Sequence, residues 1–145
     1  MKKTFAIDRI IDANLNRLKE GIRVCEEITR FILDDKSLTA RFKAIRHEIS
    51  GISENLPDKC RLLKGRYSEG DVGRKTHHHH ELKRSGVEDI FFANIQRVKE
   101  SLRVLEEFLK LKNTPAALRF KDLRYSVYEL EKKAFTKIKS LRYHR

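Results

Sequence analysis

The sequence predicts an all-α protein, a four-helix bundle-like domain made from two duplicated helical hairpins joined by a long crossover loop. Charged residues make up 37% and hydrophobic residues 39% of the chain, a balance typical of long helices. Apolar residues recur in steps of three and four, as amphipathic helices require. The stretch ANLNRLKEGIRVCEE, at 13–27, also returns 80 residues later as ANIQRVKESLRVLEE, with nine of fifteen positions identical.

The first hairpin is predicted over residues 8–55. Apolar periodicity indicates one long amphipathic helix over 8–33. Asp35 or Ser37 can cap a second helix, which continues until Pro57. The short link between these helices predicts an antiparallel pair.

Residues 56–85 are predicted to form the crossover loop, because glycines concentrate there; such long loops tend to be functional or disordered. The segment 65–70 has the glycine spacing of the start of a phosphate-binding loop, but Asp71 and Val72 follow where Lys and Ser or Thr are required. Asp71 with Gly73 could still offer backbone N–H groups to phosphate and a carboxylate to a metal. The alternative is a tight turn in which Asp71 accepts local hydrogen bonds.

The second hairpin is predicted over residues 86–141. Ser85 and Glu88 have the spacing of a capping box at the start of its first helix. Thr114 is predicted to cap its second helix, with Pro115 at the first helical position. We therefore expect a single all-helical domain over residues 1–145, in which the first and third long helices are symmetry mates.

The composition favours a cytoplasmic protein that binds anions. A formal charge of +12 attracts nucleic acid, anionic membrane surfaces or phosphorylated small molecules. Cys25 and Cys60 lack metal or redox spacing and are predicted to be reduced core thiols. The histidine run at 77–80 lacks ligand spacing and is predicted to be solvated. We expect no signal peptide and no transmembrane helix.

A helical wheel places the repeated polar residues beside the core stripe. They are Asn14, Arg17, Glu20 and Glu27 in the first helix, and Asn94, Arg97, Glu100 and Glu107 in the third. Lys19, Arg23 and Glu26 are predicted to lie further towards solvent. If the two helices face each other, the polar residues converge on one cleft suited to an anion with a metal, because arginine grips phosphate bidentately and carboxylates hold Mg²⁺. The alternative is a buried network that ties arginine to glutamate and only fixes the hairpin register.

One pattern runs through nearly the whole chain: DANLNR at 12–17, EGIRV at 20–24, GDVG at 70–73 and the second copy at 93–107. In this order and spacing it resembles the small hydroxymethylpyrimidine-phosphate kinase family, found alone or fused ahead of thiamine-phosphate synthase. The resemblance implies ATP-dependent phosphorylation of 4-amino-5-hydroxymethyl-2-methylpyrimidine phosphate to the diphosphate in thiamine biosynthesis, with ATP and Mg²⁺. No synthase segment follows, so a standalone form is expected.

The resemblance and the residue chemistry together give candidate roles. The catalytic candidates, with the arginines as phosphate clamps, are Arg17, Arg97, Glu20 and Glu100. Candidates for binding substrate or nucleotide are Asn14, Asn94, Arg23, Arg103, Arg46, Arg124, Asp71 and Gly73. Candidate Mg²⁺ ligands are Glu27, Glu107 and Asp71.

Two other classes of function remain open: a basic helical nucleic-acid-binding module and a non-catalytic helical interaction domain. The first predicts Lys and Arg along one exposed face, interleaved with aromatic residues. The kinase interpretation predicts a small phosphorylated substrate and neither nucleic acid nor membrane as partner. It leaves open a homo-oligomer that completes an edge cleft, and a functional link to thiamine-phosphate synthase.

Overall fold

The computed structural model describes residues 5–56, 59–76 and 82–141. Its helices are α1 (Ala6–Glu27), a π-helical turn (Ile28–Ile32), α2 (Lys36–Glu54), α3 (Lys59–Gly65), α4 (Val87–Leu109) and α5 (Thr114–Leu141). These ranges contain no strand, which confirms the predicted all-α, bundle-like fold. No helix in them is long and apolar enough to cross a membrane. The histidine run at 77–80 lies outside the described residues.

Helices α1 and α4 form the most extensive helix pair and run antiparallel. Near the end of α1, a Cβ added to Gly21 would lie 2.9 Å from Val98 Cγ2 and 3.2 Å from the Asn94 carbonyl oxygen. At the start of α1, Asp8 bonds Lys112, which follows α4. The missing side chain at Gly21 therefore lets the two helix backbones approach closely.

The core lies between this pair and the two remaining long helices. Helix α2 packs on α1, α5 packs on α4, and α2 also contacts α5. Phe42 of α2 meets Phe91 of α4 edge to face, with ring centroids 6.3 Å apart. Such aromatic pairs contribute about 0.5–1.5 kcal/mol beyond the burial of their area. The two hairpins are thus joined by one continuous hydrophobic core.

Each hairpin contains the same buried ion pair. Arg46 Nε donates to Glu26 Oε2 at 2.7 Å, and Arg124 Nη2 donates to Glu106 Oε2 at 3.0 Å. Glu26 is 2% exposed and Glu106 is 3% exposed. The prediction that Glu26 points towards solvent was wrong, because an arginine of α2 pairs with this carboxylate inside the hairpin. These pairs have the form of the alternative network, in which arginine is tied to glutamate.

The corner of the first hairpin is longer than that of the second. The paired glutamate and arginine are 20 positions apart in the first hairpin and 18 in the second. The first corner contains the π-helical turn, a form that commonly inserts one residue into a helix, and Asp34 has a positive φ of 49°. Asp35 then caps α2 by accepting the Leu38 N–H at 2.9 Å, which confirms one of the two predicted caps.

Two helix starts differ from the predictions. The N-cap of α4 is Gly86, which has no side chain that could cap the helix. Asp89 accepts the Ser85 N–H at 2.8 Å, so the carboxylate that serves this turn is one residue later than the predicted capping box. Asn113 caps α5 in place of Thr114, since its Oδ1 accepts the backbone N–H of Ala116 at 3.1 Å.

Helix α3 lies within the segment predicted to be a loop. It turns Leu62 into the core and leaves Cys60 exposed, so the prediction of Cys60 as a core thiol was wrong. Cys25 is buried, as predicted, and burial raises the pKa of its thiol to about 12. Helix α3 spans only seven residues, too few for a helical period to be recognised in the sequence.

Candidate active site

A cleft of about 720 Å³ lies between the first part of α1 and the loop after α3. From α1 it is lined by Ala6, Arg9, Ile10, Asp12, Ala13, Asn14, Asn16, Arg17 and Glu20; from the loop it is lined by Arg66, Tyr67, Ser68 and Asp71. We call it the α1 cleft. Its size is within the range of small-molecule sites, and its lining is more polar than usual for them.

The loop is attached to α1 by a bidentate ion pair. Arg66 donates from Nε to Asp12 Oδ2 and from Nη2 to Asp12 Oδ1, both at 2.7 Å. The hydrogen bonds to Asp12 raise the pKa of the Arg66 guanidinium. In the second repeat, the position of Asp12 is occupied by Phe92, which packs against Phe135 with ring centroids 5.5 Å apart. The second repeat therefore does not reproduce this attachment.

Four of the predicted site residues line the cleft: Asn14, Arg17, Glu20 and Asp71. The Asn14 amide donates to the Ile10 carbonyl at 2.8 Å, which fixes the side chain and leaves its oxygen available to a donor. Arg17 is exposed and forms no ion pair with any described residue. The cleft lining therefore combines an exposed guanidinium that pairs with no described residue, carboxylates and an oriented amide.

Asp71 forms the predicted turn and also lines the cleft. Its Oδ1 accepts the Gly73 N–H at 2.9 Å, which is the local turn bond of the structural alternative. The residue also lines the α1 cleft, so its other oxygen can serve a ligand. Gly73 belongs to the turn and does not line the cleft, and its predicted binding role stays a prediction.

The equivalent residues of α4 lie outside the α1 cleft. Asn94 repeats the internal bond of its counterpart, donating to the Ile90 carbonyl at 2.8 Å. Glu100 accepts from Gln96 at 3.1 Å, and Arg97 is exposed. The described walls of this cleft come from α1 and the loop, so the structure does not bring these α4 residues into it. Their functional roles stay predictions.

The other arginine candidates take part in ion pairs. Arg23 Nη1 lies 3.7 Å from Glu26 Oε2, and Arg103 Nη2 lies 3.2 Å from Glu107 Oε1. Arg46 and Arg124 hold the buried pairs of the two hairpins. To bind phosphate, any of these four arginines would have to contact the phosphate in addition to its carboxylate partner.

The ThiD2 family matches residues 9–133 of this chain. The chain belongs to the ThiD2 family. It is similar to the thiamine-phosphate synthase of Synechocystis sp., with 40% identity over 126 residues, which is 87% of this chain and 35% of that protein. For the Nostoc punctiforme thiamine-phosphate synthase the identity is 40% over 123 residues, 85% of this chain and 34% of that protein. For the Rhodopirellula baltica thiamine-phosphate synthase the identity is 37% over 120 residues, which is 83% of this chain and 32% of that protein.

The chain spans about a third of the length of these curated relatives. The part that matches the ThiD2 family includes every residue of the α1 cleft except Ala6. No solved structure matches the chain.

Two of the predicted magnesium-binding or catalytic carboxylates lie in the α1 cleft. Glu20 and Asp71 line the cleft, whereas Glu27 and Glu107 do not. Hydrogen bonding from Lys110 lowers the pKa of Glu107. No three metal-ligating side chains come together among the described residues, and Mg²⁺ usually takes only one or two carboxylates together with phosphate oxygens and water. The ligand roles of Glu27 and Glu107 stay predictions.

Sequence reasoning gave no role to Arg9, Arg66 or Tyr67, or to Asp12, which stood only in the family pattern. One signal was present: position 12 is acidic in the first repeat and aromatic, Phe92, in the second. A change of chemistry within an otherwise matching repeat indicates that only one copy has that contact. Nothing in the local sequence of the loop indicated which helix it would contact.

Proposed function

We propose that this ThiD2-family protein transfers the γ-phosphoryl group of ATP to 4-amino-5-hydroxymethyl-2-methylpyrimidine phosphate, forming the diphosphate in thiamine biosynthesis. The family and the relatives named thiamine-phosphate synthase support a role in thiamine biosynthesis. The observation that carries the kinase proposal is the α1 cleft, where Arg17, which pairs with no described residue, lies with Glu20 and Asp71. This is a composition suited to phosphoryl transfer.

The reaction requires little acid–base chemistry from the protein. The acceptor is a phosphate monoester with a second pKa of about 6, so its oxygen is already anionic at neutral pH. The protein must bring two mutually repelling anions into line and neutralise their charge. Arg9 and Arg17 supply positive charge in the cleft, while Arg66, engaged by Asp12, positions the loop.

Glu20 and Asp71 are the residues that would hold magnesium, directly or through water, and Asn14 would orient a phosphate or the pyrimidine edge. A bound Mg²⁺ would neutralise part of the negative charge on the phosphates. The arginines also account for a preference for the phosphorylated substrate. With the free alcohol, a clamp built for phosphate would be left unpaired, which strongly disfavours that substrate.

The direct test supplies the pyrimidine monophosphate, ATP and Mg²⁺, and measures ADP and the pyrimidine diphosphate in the same samples. We expect the two products in equal amounts, and much less product from the unphosphorylated pyrimidine alcohol. Samples without pyrimidine, and samples with a magnesium chelator, are the controls. The absence of magnesium-dependent diphosphate would contradict the kinase proposal.

Helix α5 carries the one observation that favours a second candidate function, binding of single-stranded nucleic acid. Basic and aromatic side chains are interleaved along one exposed face: Lys121, Tyr125, Tyr128, Lys132, Phe135 and Lys139. Aromatic residues that stack on bases, with cations beside them, are the pattern for such binding. A labelled oligonucleotide, titrated at low and high salt, tests it by fluorescence anisotropy. Salt-sensitive binding that Tyr125→Ala weakens would support this function, and no binding at low salt would exclude it.

A further inference from the structure

We infer that Tyr67 is the ring-binding residue of the α1 cleft, against which the heteroaromatic ring of a phosphorylated ligand packs. In the proposed reaction two ligands carry such a ring: the adenine of ATP and the pyrimidine of the acceptor. The inference rests on the proposed function for the identity of these ligands. The placement of Tyr67 in the cleft supports the binding of such a ring.

The Tyr67 ring is held by its own loop. A Cβ added to Gly70 would lie 1.9 Å from Tyr67 Cε1 and 2.4 Å from Cδ1, so the ring rests directly against the glycine backbone. Any side chain at position 70 would have to displace the ring. One part of the ring is therefore fixed by the loop, while the residue as a whole remains 51% exposed and lines the cleft.

A cation lies next to the same ring. The Arg9 guanidinium carbon is 6.0 Å from the Tyr67 ring centroid, at the limit of the distance for a cation–π contact. Arg9 also lines the cleft. A phosphorylated heteroaromatic compound presents a ring and an anion on one molecule. Tyr67 and Arg9 offer a surface for the first and a charge for the second.

The ring is placed before a ligand arrives. Arg66, the residue before it, is tied to Asp12 of α1 by two hydrogen bonds. The neighbouring Val72 of the same loop is also exposed but does not line the cleft. Tyr67 is the one aromatic residue among the described residues of the cleft lining. Because the loop is already attached, less ordering is needed when a ligand binds.

The test separates the ring from the phosphates of the ligand. Wild type, Tyr67→Leu and Tyr67→Phe are titrated by calorimetry with a non-hydrolysable ATP analogue, the pyrimidine monophosphate and inorganic tripolyphosphate. We expect Tyr67→Leu to weaken at least one ring-bearing ligand by about tenfold or more and to leave the affinity for tripolyphosphate unchanged. Tyr67→Phe should retain the wild-type affinities. The ligand that is weakened identifies which ring packs on Tyr67.

Several results would overturn the assignment: unchanged affinity of Tyr67→Leu for both ring-bearing ligands, an equal loss for tripolyphosphate, or no binding of either ring-bearing ligand by wild type. Gly70→Ala provides a second variant, because it displaces the ring without removing it and should also weaken the ring-bearing ligand. Binding without turnover in wild type would contradict the kinase proposal and leave the Tyr67 assignment standing. Turnover by wild type, with unchanged binding by Tyr67→Leu, would support the kinase proposal and contradict the Tyr67 assignment.

Discussion

Arg66 and Asp12 hold the connecting loop on α1 through two parallel hydrogen bonds, each 2.7 Å long. The Asp12 side chain is largely covered, at 13% exposed, whereas that of Arg66 is 44% exposed. Because nearly half of the Arg66 side chain is exposed, solvent screens this pair, and we expect it to contribute only about 1 kcal/mol to stability. The contact therefore matters chiefly for where the loop places Tyr67 and Asp71.

Arg66→Lys should separate positioning from stability. Lysine keeps the positive charge but cannot form the bidentate contact, so the loop and the side chains that it places in the cleft lose their fixed position. We expect kcat/KM to fall by about tenfold or more, while the thermal unfolding temperature stays close to that of wild type. Steady-state kinetics and thermal unfolding measure the two effects. Wild-type kinetics in this variant would show that the loop does not need its attachment.

Arg17→Ala and Arg97→Ala form a matched pair, because the two arginines occupy equivalent positions in the repeat. Arg17 lines the cleft and Arg97 does not, so we expect turnover to fall by at least about tenfold for Arg17→Ala and much less for Arg97→Ala. Both residues are exposed, and circular dichroism should show native helix content in both variants. Equal losses of activity would show that α4 contributes to the site. Unfolding of either variant would contradict the exposed placement of these two arginines.

Asp8→Asn should destabilise the fold at neutral pH. Asp8 is fully buried, pairs with Arg61 of α3 at 2.7 Å and bonds Lys112 in the turn after α4. Breaking a buried ion pair costs about 3–5 kcal/mol. Because the two cations can be partly rehydrated, we expect a loss of about 2–4 kcal/mol in the free energy of unfolding. Urea denaturation of wild type and variant measures it.

The same carboxylate should make stability depend on pH. Burial alone would raise the pKa of Asp8, but hydrogen bonds and charges from Lys112 and Arg61 outweigh burial and lower it. Its contribution is therefore complete above the unfolded pKa of about 3.9 and is lost as the pH falls through the lower folded pKa. Wild type should lose more stability than Asp8→Asn in this acidic range. Parallel stability curves would contradict the ion-pair assignment.

Gly21→Ala and Gly51→Ala should change stability in opposite directions. At Gly21 the new methyl group would meet Val98 and the Asn94 carbonyl, and such overpacking costs about 1–3 kcal/mol. That cost exceeds the gain of about 0.5–1 kcal/mol for replacing a helical glycine. At Gly51, in α2, a Cβ meets nothing within 4 Å, so this variant should gain up to about 1 kcal/mol. Chemical denaturation compares them, and stabilisation by both would argue against the close approach of α1 and α4.

The long helices could be predicted from the sequence because apolar periodicity and the repeat are local signals. The same signals selected Asn14, Arg17 and Glu20, which line the α1 cleft, but they predicted α4 as the opposite wall, where the structure has the loop. The burial of Glu26 could not be read from a single helical wheel, because its partner Arg46 lies in another helix. The loop wall depends on a tertiary ion pair between residues 54 positions apart. No local sequence pattern indicates such a contact.

The unequal hairpin corners bear on how the two halves of this protein diverged after duplication. Both copies keep the same glutamate–arginine register although the first corner is two residues longer, since the π-helical turn and the link after it take up the difference. Length can therefore drift at this corner without disturbing either the register or the α1 cleft, which uses the opposite end of the helix. The same tolerance makes the corner a suitable insertion point for a fluorescent label or an affinity tag.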